Sequence, residues 1–273
     1  MARPVLHNLI DRRILKRRVA ENPVPRVTVS FYKYHNILNP SFFRDYLYIH
    51  WEAMGVLGRT YIASEGINAQ ISVPEERFNE FRDHLYSITF LDGIRLNVAV
   101  QSDPLAFYAL KLKLRKKIVA DGIEDPGFDP SNTGVHLKAV EFNELVSKDD
   151  TILIDMRNHY ESEVGHFEGA IVPDVDTFRD EIRLVEDMLK GKEDKNIVMY
   201  CTGGIRCEKA SAYLKYKGFP NVHQLEGGII KYVHDVRSQG LENKFKGVNF
   251  VFDERLAERV SDDVIAVCHQ CGT

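Results

Sequence analysis

The sequence predicts an α/β domain, a parallel sheet flanked by helices, preceded by a smaller α+β domain of ferredoxin-like βαββαβ order. Three observations carry this. Between residues 136 and 245, short apolar runs alternate with helix-spaced segments, which is how βα units read. Between residues 27 and 103, strand, helix, hairpin, helix and strand signals follow one another in the split βαβ order. An apolar run, Ile197-Val198-Met199-Tyr200, delivers Cys201 into a loop with two glycines that opens a helix.

Residues 1–26 form a basic arm, with helix spacing from Leu6 to Ala20 closed by Asn22-Pro23. Val27 to Tyr34 alternates as a strand, and Pro40 to Gly55 carries Phe43, Leu47, Trp51 and Met54 at helical spacing. Val56 to Ala63 and Ile67 to Val73 flank the Glu65-Gly66 turn as a hairpin. Pro74 to Ser87 reads as a helix begun by proline, and Ile94 to Val100 as the closing strand. These elements make residues 27–103 a ferredoxin-like, acylphosphatase-like domain.

Residues 104–135 form a basic connecting segment in which Leu110, Leu112 and Leu114 alternate with Lys111, Lys113 and Arg115. The second domain, 136–245, has helices at Lys138–Ser147 and Asp176–Lys190 and strands at Thr151–Met156, Ile197–Tyr200 and Val222–Leu225. A helix from Glu208 to Lys217 follows the Cys201 loop, and a last helix follows Gly227-Gly228. Residues 246–273 are a C-terminal extension.

The 273 residues suit two compact units, and 44% hydrophobic with 28% charged residues describe an ordinary globular protein. No apolar run reaches membrane-span length, and the N-terminus lacks a signal-peptide core. Four cysteines suit a reducing compartment, so the expected location is cytoplasmic. The net charge of −4 hides two basic clusters, one at Arg12, Arg13, Lys16, Arg17 and Arg18, the other at Lys111 to Lys117. Such clusters fit either a polyanion-docking surface or plain solvated faces.

Cys201-Thr202-Gly203-Gly204-Ile205-Arg206 carries the chemistry. The glycines let the loop curl with its N–H groups inward, so Thr202, Gly203, Gly204 and Ile205 become a backbone cradle for negative charge. Arg206 adds a fixed positive charge, and both features favour a thiolate at Cys201, which makes it a nucleophile. Cys207 fits two roles, a second thiol that resolves an oxidised Cys201 or a core side chain in the first helical turn.

Asp155-Met156-Arg157, Gly165 to Ala170 and Cys201 to Arg206 resemble the successive signatures of the rhodanese fold. Cysteine phosphatases resemble this loop but place five residues between cysteine and arginine; here there are four, a tighter cradle. The likeness extends to Pro4 to Asn8, Ser30 to Tyr34, Glu65 to Ala69 and Lys113 to Lys116. With Cys201 to Ala210, Gly227-Gly228-Ile229 and Phe250 to Asp253, it identifies the chain as similar to the rhodanese-domain tRNA uridine hydroxylase family (TrhO, formerly YceA).

That resemblance implies oxygen-dependent 5-hydroxylation of the wobble uridine of tRNA by a bacterial oxidoreductase, with molecular oxygen as co-substrate and tRNA bound at its anticodon region. The electron donor and oligomeric state stay open, and no membrane association is expected. Arg12, Arg13, Arg17, Lys111, Lys113, Arg115 and Lys116 are the candidate tRNA contacts, with Tyr32, Tyr34, Phe107 and Tyr108 as stacking candidates. Family members continue past a Cys-x-x-Cys with further cysteines; here Cys268-His269-Gln270-Cys271 is followed by Gly272-Thr273, short of four zinc ligands. No metal and no flavin are assigned. His159, Glu161 and His166 are spaced like a two-histidine, one-carboxylate iron site, but Glu161 and His166 fall at rhodanese-signature positions where fold reasons suffice. The loop alone also fits a persulfide sulfurtransferase acting on a small sulfur donor or in tRNA thiolation.

Overall fold

The computed structural model describes residues 6–266. The chain divides into two compact units, residues 1–119 with Phe252–Leu256, and residues 120–251 with 257–273.

The first unit opens with α1 (Arg12–Glu21), whose N-cap is Asp11 accepting from the Arg13 N–H at 2.8 Å. That cap stops the helix at residue 12, so the expected start at Leu6 is corrected. Then come β1 (Arg26–Tyr34), α2 (Pro40–Ala53), β2 (Leu57–Ala63), β3 (Gly66–Pro74), α3 (Phe78–Tyr86), β4 (Asn97–Val98) and β5 (Leu110–Leu114). Pro74 ends β3 rather than starting α3, because the first turn after it, Glu75–Arg77, is a 3₁₀ helix. The sheet order is β4-β1-β3-β2-β5. The first four strands give the ferredoxin-like arrangement, antiparallel throughout, and β5 joins the β2 edge in parallel.

The alternation in β5 therefore belongs to this sheet and not to a free connector. Leu110 and Leu112 are buried and Lys111 and Lys113 exposed, as a half-buried strand requires, while Leu114 stays exposed. Beneath the sheet, Trp51 is fully buried with Phe31 edge-on at 6.3 Å and Phe81 tilted at 5.6 Å. Each such pair adds about 0.5–1.5 kcal/mol beyond area burial.

The second unit runs β6 (Val135–Leu137), α4 (Ala139–Val146), β7 (Thr151–Asp155), α5 (His159–Ser162), β8 (Gly165–Phe167), α6 (Phe178–Leu189) and β9 (Asn196–Tyr200). It continues with α7 (Ile205–Tyr216), β10 (Val222–Leu225), α8 (Gly228–Gln239), β11 (Phe245–Phe250) and β12 (Ala257–Arg259). A parallel sheet of order β6-β10-β9-β7 forms its centre. Ile197 to Tyr200 are all buried, which is why β9 reads as an unbroken apolar run. A second, antiparallel sheet, β12-β11-β8, draws most of the C-terminal extension into this unit. Phe167 ties the layers together, with Phe142, Tyr200, Tyr232 and Phe245 all within 5.2 Å between ring centroids.

Candidate active site

Tyr200 closes β9, and the chain turns at Cys201 to enter α7 at Ile205. Gly204, the N-cap, sits at φ 100°, a conformation that costs a glycine nothing. Its N–H donates to Cys201 Sγ at 3.1 Å. From the other side, α8 fixes the loop carbonyls: the Ile229 N–H donates to Cys201 O at 3.0 Å and the Ile230 N–H to Thr202 O at 3.2 Å. Gly228, at φ +65°, allows this approach, because a Cβ there would stand 2.5 Å from Cys201 O.

Cys201 is 1% exposed. Burial pushes its thiol up, yet the Cys207 thiol, the Arg206 charge and the Cys207 and Arg206 N–H groups outweigh it and hold the pKa at about 6. The sulfur is therefore a thiolate at neutral pH. Cys207, fully buried, donates its S–H to that sulfur, and burial together with this bond drives its own pKa far up. Cys207 is thus a core side chain, the second of the two roles foreseen for it, and it touches the nucleophile.

Arg206 does more than face the thiolate. Its Nη1 and Nη2 donate to the Glu161 carboxylate at 2.6 and 2.9 Å, with Glu161 wholly buried. Glu161 also accepts from Thr202 Oγ1 at 3.4 Å and from the Asn158 N–H at 3.1 Å. Burial raises its pKa, but Arg206 and Arg157 more than cancel this and keep it ionised. Behind it, Arg157 pairs with Asp155 at 2.6 Å, and Asp155 also accepts from the Tyr200 hydroxyl at 2.7 Å. Glu181 of α6 completes the cluster, buried and within electrostatic reach of Arg206, Asp155, Glu161 and Cys201.

Sequence reasoning found Cys201, Arg206 and Cys207, which the structure brings together; of the expected Thr202-to-Ile205 cradle, the Gly204 N–H reaches the sulfur, joined by the N–H groups of Arg206 and Cys207. It gave Glu161 no role at the loop and missed Glu181. For Glu161 the signal was the Asn158-x-x-Glu161 capping box that starts α5. For Glu181 it was a carboxylate on the apolar stripe Phe178, Ile182, Val185, Leu189. Lys209, which its helix position alone would place at the surface, is 3% exposed and pairs with Asp121 at 2.8 Å. The reason is that α7 is buried on nearly every side, including Ala210, Ser211, Ala212 and Leu214.

His159, Glu161 and His166 do not converge. His159 bonds Glu163, Glu161 bonds Arg206, and His166 bonds the Ser162 carbonyl. Among the described residues no group of three or more His, Cys, Asp or Glu side chains is placed to hold a metal ion. Cys268, His269 and Cys271 lie outside the described residues.

The basic candidates all belong to the first unit. Arg12, Lys16 and Lys111 surround the Tyr108 ring at 5.0 to 5.3 Å, and Arg12 pairs with Glu254 at 3.1 Å. Arg13 is exposed, and Arg17 stands 3.9 Å from Glu21. Lys113, Arg115 and Lys116 are exposed, with Arg115 over Tyr61 at 5.3 Å and Arg59 on the same ring at 6.0 Å. Phe107 is buried, Tyr108 is half-buried, and Tyr32 and Tyr34 stack edge-on at 6.3 Å. Among the described residues no helix is long and apolar enough to cross a membrane.

Residues 26–118 match the UPF0176 acylphosphatase-like domain family and residues 138–235 the rhodanese-like domain family. A tRNA uridine(34) hydroxylase from Pectobacterium carotovorum is 57% identical over 270 residues, covering 98% of this chain and 76% of that protein. One from Photorhabdus laumondii is 56% identical, covering 98% of this chain and 77% of that protein. One from Yersinia pestis is 56% identical over 271 residues, covering 99% of this chain and 76% of that protein. The chain belongs to the tRNA uridine(34) hydroxylase family.

Proposed function

We propose that this protein hydroxylates C5 of uridine 34, the wobble base of tRNA, with Cys201 as nucleophile and molecular oxygen as co-substrate. The observation that carries this reading is a cysteine held as thiolate at about pKa 6 in a protein of this family. C5 of uracil resists oxidation until electron density is raised there. Addition of the Cys201 sulfur to C6 does that: the S–C6 bond forms, the C5=C6 pair moves into the ring, and C5 becomes enolate-like. One oxygen atom then reaches C5, the other leaves as water, and a two-electron donor with two protons balances the step. Loss of the C5 hydrogen and of the sulfur restores the double bond.

The rest of the loop supports this chemistry without taking part in bond making. Gly204, Arg206 and Cys207 offer N–H groups to the sulfur, so it is both ionised and aimed. Arg206, held by Glu161, supplies positive charge that cannot swing away.

For tRNA, the exposed row of Lys111 and Lys113 on β5 and Arg115 just past its end is suited to phosphates. Tyr61, beside it and between Arg59 and Arg115, offers a ring on which an unpaired base can stack. Arg12, Arg13, Arg17 and Lys116 extend the same positive character.

Nucleoside mass spectrometry of tRNA from a strain lacking the gene, beside a thiosulfate:cyanide assay on the purified protein, tests the reading. Loss of 5-hydroxyuridine derivatives with negligible cyanide activity supports it. Intact 5-hydroxyuridine with strong cyanide activity selects persulfide sulfur transfer instead.

A further inference from the structure

The sheet of the first unit has two unlike faces. Phe31, Ile62, Ile67 and Ile71 share one core with Trp51 of α2 and Phe81 of α3. The residues that alternate with them along the strands face the other way, and strand register sets them in rows. One row runs Tyr32, Asn68, Tyr61, Lys113 across β1, β3, β2 and β5. The next runs Ser30, Gln70, Arg59, Lys111. Both lysines are exposed, and the other members of the two rows are half-buried. Loops of the same unit border the rows at two points, where Asn68 Nδ2 donates to the Ile118 carbonyl at 3.3 Å and Arg59 Nη2 to the Phe252 carbonyl at 2.7 Å.

The chemistry of this face is one-sided. None of the five strands contains an aspartate or a glutamate. A face that is merely solvated mixes charges of both signs. Here guanidinium groups flank the Tyr61 ring, Arg115 at 5.3 Å and Arg59 at 6.0 Å, and Tyr32 lies edge-on to Tyr34 at 6.3 Å. Rings, amides and positive charge together suit a polyanion that carries accessible π-faces, which describes unpaired nucleotides. The paired bases of a stem hide those faces inside the helix and leave only phosphate and groove edges to contact. Tyr32 and Tyr61 stand two strands apart, about 10 Å, so both can be reached by nearby nucleotides of one extended strand.

We propose that this second sheet face is a platform for two unpaired nucleotides of the anticodon loop, one base stacked on Tyr61 and the other on Tyr32, with the Asn68 amide between them at the base edges. The inference rests on the reading above for tRNA as the substrate, and adds that the protein grips its RNA as a single-stranded loop and not as a stem. Arg59, Lys111 and Lys113 meet the phosphates of the same stretch, which fixes its path along the rows.

The test measures binding of the full chain to a fluorescein-labelled single-stranded RNA of anticodon-loop sequence, and to the same RNA paired with its complement, over a range of salt. Tyr61→Leu and Tyr32→Leu are each expected to weaken single-strand binding about five- to a hundredfold with the logarithmic salt slope unchanged, because a ring carries no charge. Tyr61→Phe and Tyr32→Phe keep the π-face and are expected to bind as the wild type does. Duplex affinity should stay the same in all of them. Leucine variants that bind the single strand as tightly as the wild type, or that lose single strand and duplex alike, overturn the proposal. If those variants do not fold, the wild type decides. Irradiated RNA with 5-iodouridine on either side of position 34 is expected to cross-link to Tyr61 and Tyr32, and cross-links confined to other residues overturn the proposal. Single-strand binding through both rings by a protein whose deletion leaves 5-hydroxyuridine intact supports the platform and sinks the hydroxylase reading. Leucine variants that hydroxylate tRNA with the wild-type KM sink the platform alone.

Discussion

Arg206 and Glu161 meet through two hydrogen bonds, 2.6 and 2.9 Å long, with Glu161 completely buried. The arginine next to the nucleophile is thus clamped, and its charge reaches Cys201 from a fixed direction. Arg206→Ala removes the clamp and strands a buried carboxylate. We predict a loss of about 3–5 kcal/mol in denaturant unfolding. Arg206→Lys keeps the charge but not the two-point contact, and is expected to fold while raising the Cys201 pKa above its wild-type value.

The thiolate makes stability depend on pH. The Cys201 pKa falls from an ordinary 9.0 to about 6 on folding, so its contribution is complete above the unfolded value and disappears as pH drops through about 6. The wild type's stability relative to Cys201→Ala is predicted to shrink by up to about 4 kcal/mol between those limits. Iodoacetamide alkylation of the native protein should titrate with a midpoint of about 6. A midpoint near that of a free thiol contradicts the electrostatic account.

Cys207 contributes through its S–H. Cys207→Ala removes a donor to a charged acceptor, worth about 1.5–3 kcal/mol, and should raise the Cys201 midpoint by about one to two pH units. Cys207→Ser, which retains a donor, should shift it less. An identical midpoint in all three proteins would show that the hydrogen bond has no influence on the nucleophile.

Gly228 is the backbone counterpart. A Cβ at φ +65° would press on Cys201 O at 2.5 Å and Thr202 O at 2.6 Å, both backbone atoms that cannot yield cheaply. Gly228→Ala is predicted to cost about 1–3 kcal/mol in stability and to slow Cys201 alkylation roughly tenfold or more, as the loop loses its shape. Gly240→Ala, with a similar φ of 66° but open space around it, should cost stability without touching the alkylation rate.

Much of this arrangement is legible in the sequence because it is local. The β9 run, the two glycines, the helix start and the four-residue spacing to Arg206 are contiguous, and periodicity alone orders the elements of both units. What escaped is what tertiary contact decides. Glu161 lies 45 residues from Arg206 along the chain, so their pairing leaves no local trace. Lys209 reads as a surface lysine on any helical wheel, and only the burial of α7 on nearly every side turns it inward to Asp121. Likewise β11 and β12 carry weak strand signals, and their place is set by pairing with β8.

Lys113→Ala with Arg115→Ala tests the proposed RNA face. If each contacts one phosphate, the logarithmic salt slope of tRNA binding should fall in magnitude by about 0.9 per residue removed. An unchanged slope removes the β5 row from the interface.

The proposed reaction depends on a bond between Cys201 and the uracil ring. The most direct measurement offers the full protein a tRNA carrying 5-fluorouridine at position 34, whose C5 substituent blocks release of a C6 thioether, and follows the mixture on a denaturing gel. The account predicts a covalent protein–tRNA band that Cys201→Ser does not form. A wild-type protein that hydroxylates ordinary tRNA yet traps none of the fluorinated substrate would contradict it.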